Sequence, residues 1–315
     1  MQQKHGSESK PSLASRGFAN AYALLVLTML FWAGNSVVAR GSHELVPPLA
    51  LAWLRWTVAF FLVLPFAWPQ LKRDRKAIMA NGPILVLLGA IGAGTFVSVY
   101  YIGLGRTSAI NGLIINSTVP ILIPLAAFAI YRDRLSQAQA LGIAVSFGGV
   151  LIVLAKGDLG LLASFQVNEG DIWVLTAMGI WAVYTALLRE QPQMHWLSFA
   201  AITFAVASVL NLPLFLAEHF LYRQITPTRD AFLAIAYVST LPSVVAQVFY
   251  IRGVELIGGN RAGVFMHLIP FFGALLAIVF LGEQLHLYHF AGFSLILAGV
   301  WLASRRSPPV NIHSP

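Results

Sequence analysis

The chain has no cysteine and very little charge. Of its 315 residues, 20 are Lys or Arg and 12 are Asp or Glu, so charged residues make up 10%, against about 25% in soluble domains. Without cysteine there is no disulfide scaffold, no thiol nucleophile and no thiolate metal site. A soluble chain of this length with so little charge could not cover its surface. The sequence also lacks His/Asp/Glu groups at metal-ligand spacing, a phosphate-binding loop, and a nucleophile beside a base. No Asp or Glu sits at the centre of an apolar run. We therefore expect no catalytic residues, no metal and no cofactor. An ATP-driven pump would need a soluble nucleotide domain, for which there is no room. The formal net charge of +8 has no soluble stretch long enough to present it to nucleic acid.

What the chain has is apolar length. Hydrophobic residues make up 58% and the mean hydropathy is +0.75. Runs near the length that spans hydrocarbon occur at 21–39, 48–68, 84–103, 111–131, 138–155, 172–188, 197–217, 231–251, 262–281 and 287–303. They predict an all-α integral membrane protein with ten transmembrane helices, its bilayer the first partner. The polar segment 1–20 reads as a tail rather than a cleaved signal peptide, because no small-residue cleavage site follows the first run. Residues 304–315 form a second tail, and 156–171 a polar linker at mid-chain. Basic residues set the orientation. With the N-terminus inside, the inner segments hold 14 of the 20 Lys and Arg. The outer segments hold 5 (Arg40, Arg106, Lys156, Arg223 and Arg229), and Arg55 lies within a span. Both termini are expected in the cytoplasm and the protein in the inner (plasma) membrane.

Shifted by about 150 positions, the chain resembles itself. Pro120 falls on Pro270, Asp133 on Glu283, Gly142 on Gly292 and Gly149 on Gly299. At a shift of 149, Phe31-Trp32-Ala33 meets Ile180-Trp181-Ala182, and Tyr101-Ile102 meets Tyr250-Ile251. Matched Pro, Gly, Trp and acidic positions in one order are hard to obtain by chance. The duplication divides the chain into repeats 21–155 and 172–303. Each has five spans, an odd number, so the second enters the membrane from the opposite side. Two inverted five-helix repeats are a plan used by secondary transporters.

At Phe31-Trp32-Ala33-Gly34-Asn35, Arg55, Ser117-Thr118-Val119-Pro120, Asp133-Arg134-Leu135 and Gly142 through Gly149-Val150, the chain resembles the EamA-type carriers of the drug/metabolite transporter superfamily. The second copy supplies Ile269-Pro270, Leu281-Gly282-Glu283-Gln284-Leu285, Gly292 and Gly299-Val300. The resemblance covers residues 21–304. Arg132-Asp133 stands where such proteins usually have Gly-Glu, and the acid is kept. The resemblance implies export or exchange of metabolites or amino acids.

Polar groups inside spans are costly and often functional. Thr240, Ser243, Gln247 and Tyr250 form a stripe on the eighth span. Gln247 and Tyr250 are candidates for a solute cavity, whereas Thr240 and Ser243 read as helix-to-helix hydrogen bonders. On the ninth span His267 lies near Pro270. It is either a bonded core group or a solute or proton ligand. Asn116, near Pro120, corresponds to it in the first half. Trp32 and Trp181 are repeat mates; with Asn35 and Tyr184 they read as a wall for an apolar, aromatic or cationic solute, or as plain packing. Ser98 and Tyr101 read as close helix packing. Pro120 and Pro270 are expected to kink gating helices. Arg55 reads as structural, its side chain snorkelling outward, with a solute carboxylate as the competing partner. His286 and His289 are expected to be solvated at a helix end, and Arg252 and Glu255 to be a loop feature or gate.

These readings combine into a carrier that exports or exchanges a small-molecule solute by alternating access, with proton coupling open, as monomer or homodimer. The competing classes are a non-transporting scaffold or receptor and a lipid-modifying intramembrane protein. The latter would need a reactive pair that the sequence does not offer.

Overall fold

The computed structural model describes residues 20–42, 44–107, 109–158, 160, 167–281 and 286–304. Lys4, Lys10, Arg16, the Gly282-to-Leu285 motif, Arg305 and Arg306 lie outside the described residues, as do most of both tails and much of the linker. Among the described residues there is no strand, and nine helical stretches are long and apolar enough to cross a membrane. We number them in chain order: α1 (Ala21–Gly41), α2 (Pro48–Arg73), α3 (Gly82–Leu104), α4 (Ala109–Asn116 and Val119–Tyr131), α5 (Gln137–Leu154), α6 (Glu169–Leu187), α7 (Trp196–Leu221) and α8 (Arg229–Ile257). The ninth such stretch is α10 (Leu287–Ser304). Between α8 and α10, α9 is built of Gly259–Val264, a 3-10 turn at Phe265–His267, and Leu268–Leu281.

Local chemistry sets the ends of these helices. Ser136 and Gln139 form a capping box at the start of α5, and Asn168 and Asp171 form one at the start of α6. Each satisfies two backbone donors that a helix N-terminus leaves free. At α10 the same job falls to histidine, because the His286 backbone N–H donates to His289 Nδ1 at 3.0 Å. His289 is accordingly buried, which corrects the expectation that it is solvated. The start of α2 is capped from another helix: Ala50 N–H donates to the Glu218 carboxylate of α7 at 2.8 Å. Arg132 ends α4 with left-handed backbone, φ 61°. Glycine adopts that conformation without strain, which is a physical reason for the glycine usual at this place.

Two irregularities recur about 150 residues apart. A π-helical segment interrupts α3 at Ala90–Thr95 and α8 at Leu241–Val245. The helix α4 breaks at Ser117–Thr118, between its two parts, and α9 tightens at Phe265–His267. Pro120 thus sits in the first turn of a new helical segment rather than mid-helix, where proline is tolerated because its missing N–H has no intrahelical partner to lose.

Packing repeats in the same way. The helix α1 packs on the later part of α8, as α6 packs on the later part of α3. It also packs on the later part of α9, as α6 packs on that of α4. The helices α2 and α7 pair, and so do α5 and α10. The α5–α10 seam is set by glycine. A Cβ on Gly142 would lie 2.6 Å from Gly299 O, and one on Gly149 would lie 2.7 Å from Gly292 O. Residues that match along the sequence therefore cross over in space, 142 against 299 and 149 against 292.

The turns mark two faces. On one, Arg106 pairs with Glu169 and Arg223 with Glu44. On the other, the face of the chain start, Arg189 pairs with Asp133 and Arg252 with Glu255. We call these the distal and proximal faces. Side chains such as Phe66, Val209 and Phe220 are strongly exposed around the bundle, where hydrocarbon rather than water is the compatible solvent.

Candidate functional site

A cavity of about 50 Å³ lies between the two halves. Its lining includes Trp32, Asn35 and Ser36 from α1, Arg55 and Trp56 from α2, and Gly92, Phe96 and Tyr100 from α3. Asn116, Met178, Trp181, Gln247, Met266 and Ile269 close it from α4, α6, α8 and α9. Of the residues expected from sequence, Trp32, Asn35, Asn116, Trp181, Gln247 and Arg55 meet here. Tyr184, Tyr250 and His267 stand behind the lining.

The wall is aromatic. Trp181 lies edge-on to Trp32 at 5.2 Å between ring centroids, and its ring is 4.7 Å from Phe96 and 5.1 Å from Tyr184. Such pairs contribute about 0.5–1.5 kcal/mol each beyond burial. The π segment of α8 holds this wall in place: Trp32 Nε1–H donates to Pro242 O at 3.1 Å. The π segment of α3 leaves room for it. A Cβ on Gly92 would lie 2.3 Å from the Tyr184 ring.

Arg55 does not snorkel. It is 5% exposed and turned into the bundle, where Nε donates to Ser243 Oγ and Nη1 to Tyr101 Oη, each at 2.8 Å. Ser243 Oγ–H in turn donates to Val238 O at 2.6 Å. Tyr101 donates to Asn35 Oδ1 at 3.1 Å. The guanidinium also lies 4.6 Å from the centroid of Trp56, a contact worth about 2 kcal/mol when desolvated. No carboxylate pairs with Arg55 among the described residues. The spacing argument placed Ser243 correctly as a helix-to-helix hydrogen bonder. It missed Tyr101, whose one signal was its match to Tyr250.

Tyr101 bonds two residues of the central cavity, Arg55 and Asn35, and itself lines a second cavity of about 240 Å³ on the distal side, with Ala39, Val46, Pro48, Leu51 and Leu104 among others. Toward the proximal side the closing contacts are different. Gln247 Nε2 donates to Tyr184 Oη at 3.0 Å, and the hydroxyls of Thr185 and Tyr250 pair at 3.0 Å.

His267 is fully buried. Its Nε2 meets Ser117 O at 2.9 Å and its Nδ1 meets Ser146 Oγ at 2.5 Å. It thus ties the tight turn of α9 to the break in α4 and to α5. Thr240 bonds only to carbonyls of its own helix, because the π segment that follows rotates it away from Gln247. Ser98 bonds Asn211 of α7 and Gly94 O, as close packing requires. Arg252 and Glu255 pair at 2.8 Å on the proximal face.

A multi-pass helical bundle with an internal cavity lined from both halves suits a membrane transporter. The EamA-like transporter family model matches the chain twice, over residues 19–155 and 168–305, and the chain belongs to that family. It is 24% identical over 291 residues to the uncharacterized transporter YyaM of Bacillus subtilis, covering 90% of this chain and 93% of that one. It is 26% identical over 293 residues to a probable amino-acid metabolite efflux pump of Salmonella typhimurium, covering 89% and 93%. A solved crystal structure superposes with a TM-score of 0.70 at 20% identity, covering 90% of this chain and 96% of that one; it shares the fold. The relatives are named as transporters and efflux pumps, not enzymes, and the Salmonella relative's name gives amino-acid metabolites as its cargo.

Proposed function

We propose that this chain is a secondary carrier that exports or exchanges an amino acid or related organic solute by alternating access. Ten spans form two inverted five-helix repeats, 21–155 and 172–303, in the inner membrane. Both termini are cytoplasmic, so the distal face is outside. The observation that carries the reading is the central cavity, lined from both halves; we assign its gates to the tyrosines bonded near its two ends, Tyr101 outward and Tyr250 inward. At about 50 Å³ it is smaller than the roughly 300 Å³ and more of ligand pockets, so its walls must move apart to admit a solute. Solute would enter when one end opens and the irregular segments of α3, α4, α8 and α9 shift. Proline near those breaks leaves backbone carbonyls that neighbours must satisfy. His267 fills that role for Ser117, and we assign it to joining α4 and α9 rather than to holding solute.

The name of the Salmonella relative supports amino-acid chemistry. The direct test is counterflow of labelled amino acids in proteoliposomes, run with and without a pH gradient. Faster exchange than in protein-free vesicles is expected for at least one solute, and the gradient separates proton coupling from exchange. Uniformly passive rates across the panel would sink the carrier reading.

A further inference from the structure

We propose that Arg55, with the indole N–H of Trp56 beside it, is the anchor for a carboxylate on the transported solute, an inference that rests on the carrier reading above. A guanidinium has five N–H donors, and Arg55 spends two of them, on Ser243 and Tyr101. Its other donors have no protein partner among the described residues. Trp56 is 1% exposed, and its Nε1–H is buried with no acceptor. Both residues line the central cavity. Buried donors without acceptors are rare in proteins, and a cation without a counter-charge is rarer inside a membrane bundle. Here the two occur side by side at a cavity between the halves. They ask for a ligand group that only accepts hydrogen bonds and carries negative charge.

The charge count selects carboxylate over phosphate. Arg55 is the one cationic side chain among the lining residues, and it balances a single negative charge. Its planar fork matches a carboxylate in bidentate fashion. Asn35 and Asn116 stand on the same cavity as neutral polar neighbours. The remainder of the wall, Trp32, Phe96 and Trp181, suits a flat apolar body. A solute carboxylate arriving from the distal side meets Tyr101 first, and would take over the Nη1 donor that now holds that tyrosine.

The test uses the full-length protein in nanodiscs, with L-phenylalanine and L-phenylalaninamide as probes differing only at the carboxyl group. Phenylalanine should bind at least about tenfold more tightly than the amide, the loss expected for a charge-assisted hydrogen bond. Arg55→Gln should bring the ratio to within about twofold, and Arg55→Lys should keep the acid preferred, since it retains charge without the fork. Equal binding of acid and amide to the unmodified protein overturns the proposal, and so does binding of neither. That comparison stands even if Arg55→Gln does not fold. Phenyl phosphate binding more tightly than phenylalanine overturns the choice of carboxylate. Counterflow of labelled phenylalanine reads the carrier separately. Acid-selective binding without counterflow leaves the anchor and removes the carrier. Counterflow that treats acid and amide alike leaves the carrier and removes the anchor.

Discussion

Equivalent tyrosines stand on the distal and proximal sides of the central cavity, with unlike partners. Tyr101 and Tyr250 lie 149 residues apart and match in the two halves. Tyr101 is held by the Arg55 guanidinium and by Asn35. Tyr250 is held by the hydroxyl of Thr185, with Tyr184 and Gln247 pairing beside it. The outer end, in the proposed orientation, is therefore closed through a charged group that a ligand can compete for. The inner end is closed by neutral pairs. Near-symmetric helices thus carry tyrosine contacts of different chemistry. A carrier built this way would have its outer end respond to the charge of its solute, and its inner end mainly to packing.

The largest effect expected is from Arg55→Met, which removes two charge-assisted hydrogen bonds at about 1.5–3 kcal/mol each. Counterflow in proteoliposomes should fall by about a hundredfold. A fall no greater than that of an inner-gate variant would erase the distinction between the ends.

Gln247→Leu breaks a neutral hydrogen bond to Tyr184 while keeping bulk. A loss of about five- to tenfold is expected in the same assay, and a loss exceeding that of Arg55→Met would reverse the ranking. The tyrosines themselves can be compared directly. The chain has no cysteine, so Ser36→Cys in the cavity lining reports access from either side. Adding Tyr101→Phe should speed labelling by an impermeant thiol reagent applied outside by about fivefold, the equivalent of one hydrogen bond of about 1 kcal/mol. Adding Tyr250→Phe should leave that rate unchanged, and equal acceleration by both would show that neither is a one-sided gate. The smallest effect should come from Thr240→Val. Its hydroxyl serves only its own helix, so thermal stability should change by less than about 0.5 kcal/mol and transport not at all. A larger change would return Thr240 to the Gln247 stripe.

The fold was more legible in the sequence than the site was. Long apolar runs and paired Pro and Gly positions located the helices, because hydrocarbon forces each span to satisfy its own backbone. The glycines Gly142, Gly149, Gly292 and Gly299 were visible as repeat mates, and their close approach follows from the lack of a Cβ. The site was read less well for a geometric reason. Face assignments assumed an unbroken helix. A π segment inserts about one residue, which turns the following face by about 100°. That is why Thr240 and Gln247 part company in α8. The snorkelling expected of Arg55 failed differently: it is the default for a lone cation near a helix end, and the actual partners Ser243 and Tyr101 are 188 and 46 residues away. His267 looked like a ligand because it is polar and mid-span. Its partners come from other helices: Nε2–H donates to Ser117 O, and Nδ1 accepts from Ser146 Oγ.

By itself, the sequence determined that this protein lives in a bilayer and where its apolar runs lie. Those follow from transfer energies and backbone accounting, which depend on composition and local order. Only the tertiary structure decided which polar side chains share a cavity and which are spent on each other. Trp32 meets Pro242, Arg55 meets Ser243 and Gln247 meets Tyr184 because helices distant in sequence cross there. A hydrogen bond acts over about 3 Å, a distance that only packing sets.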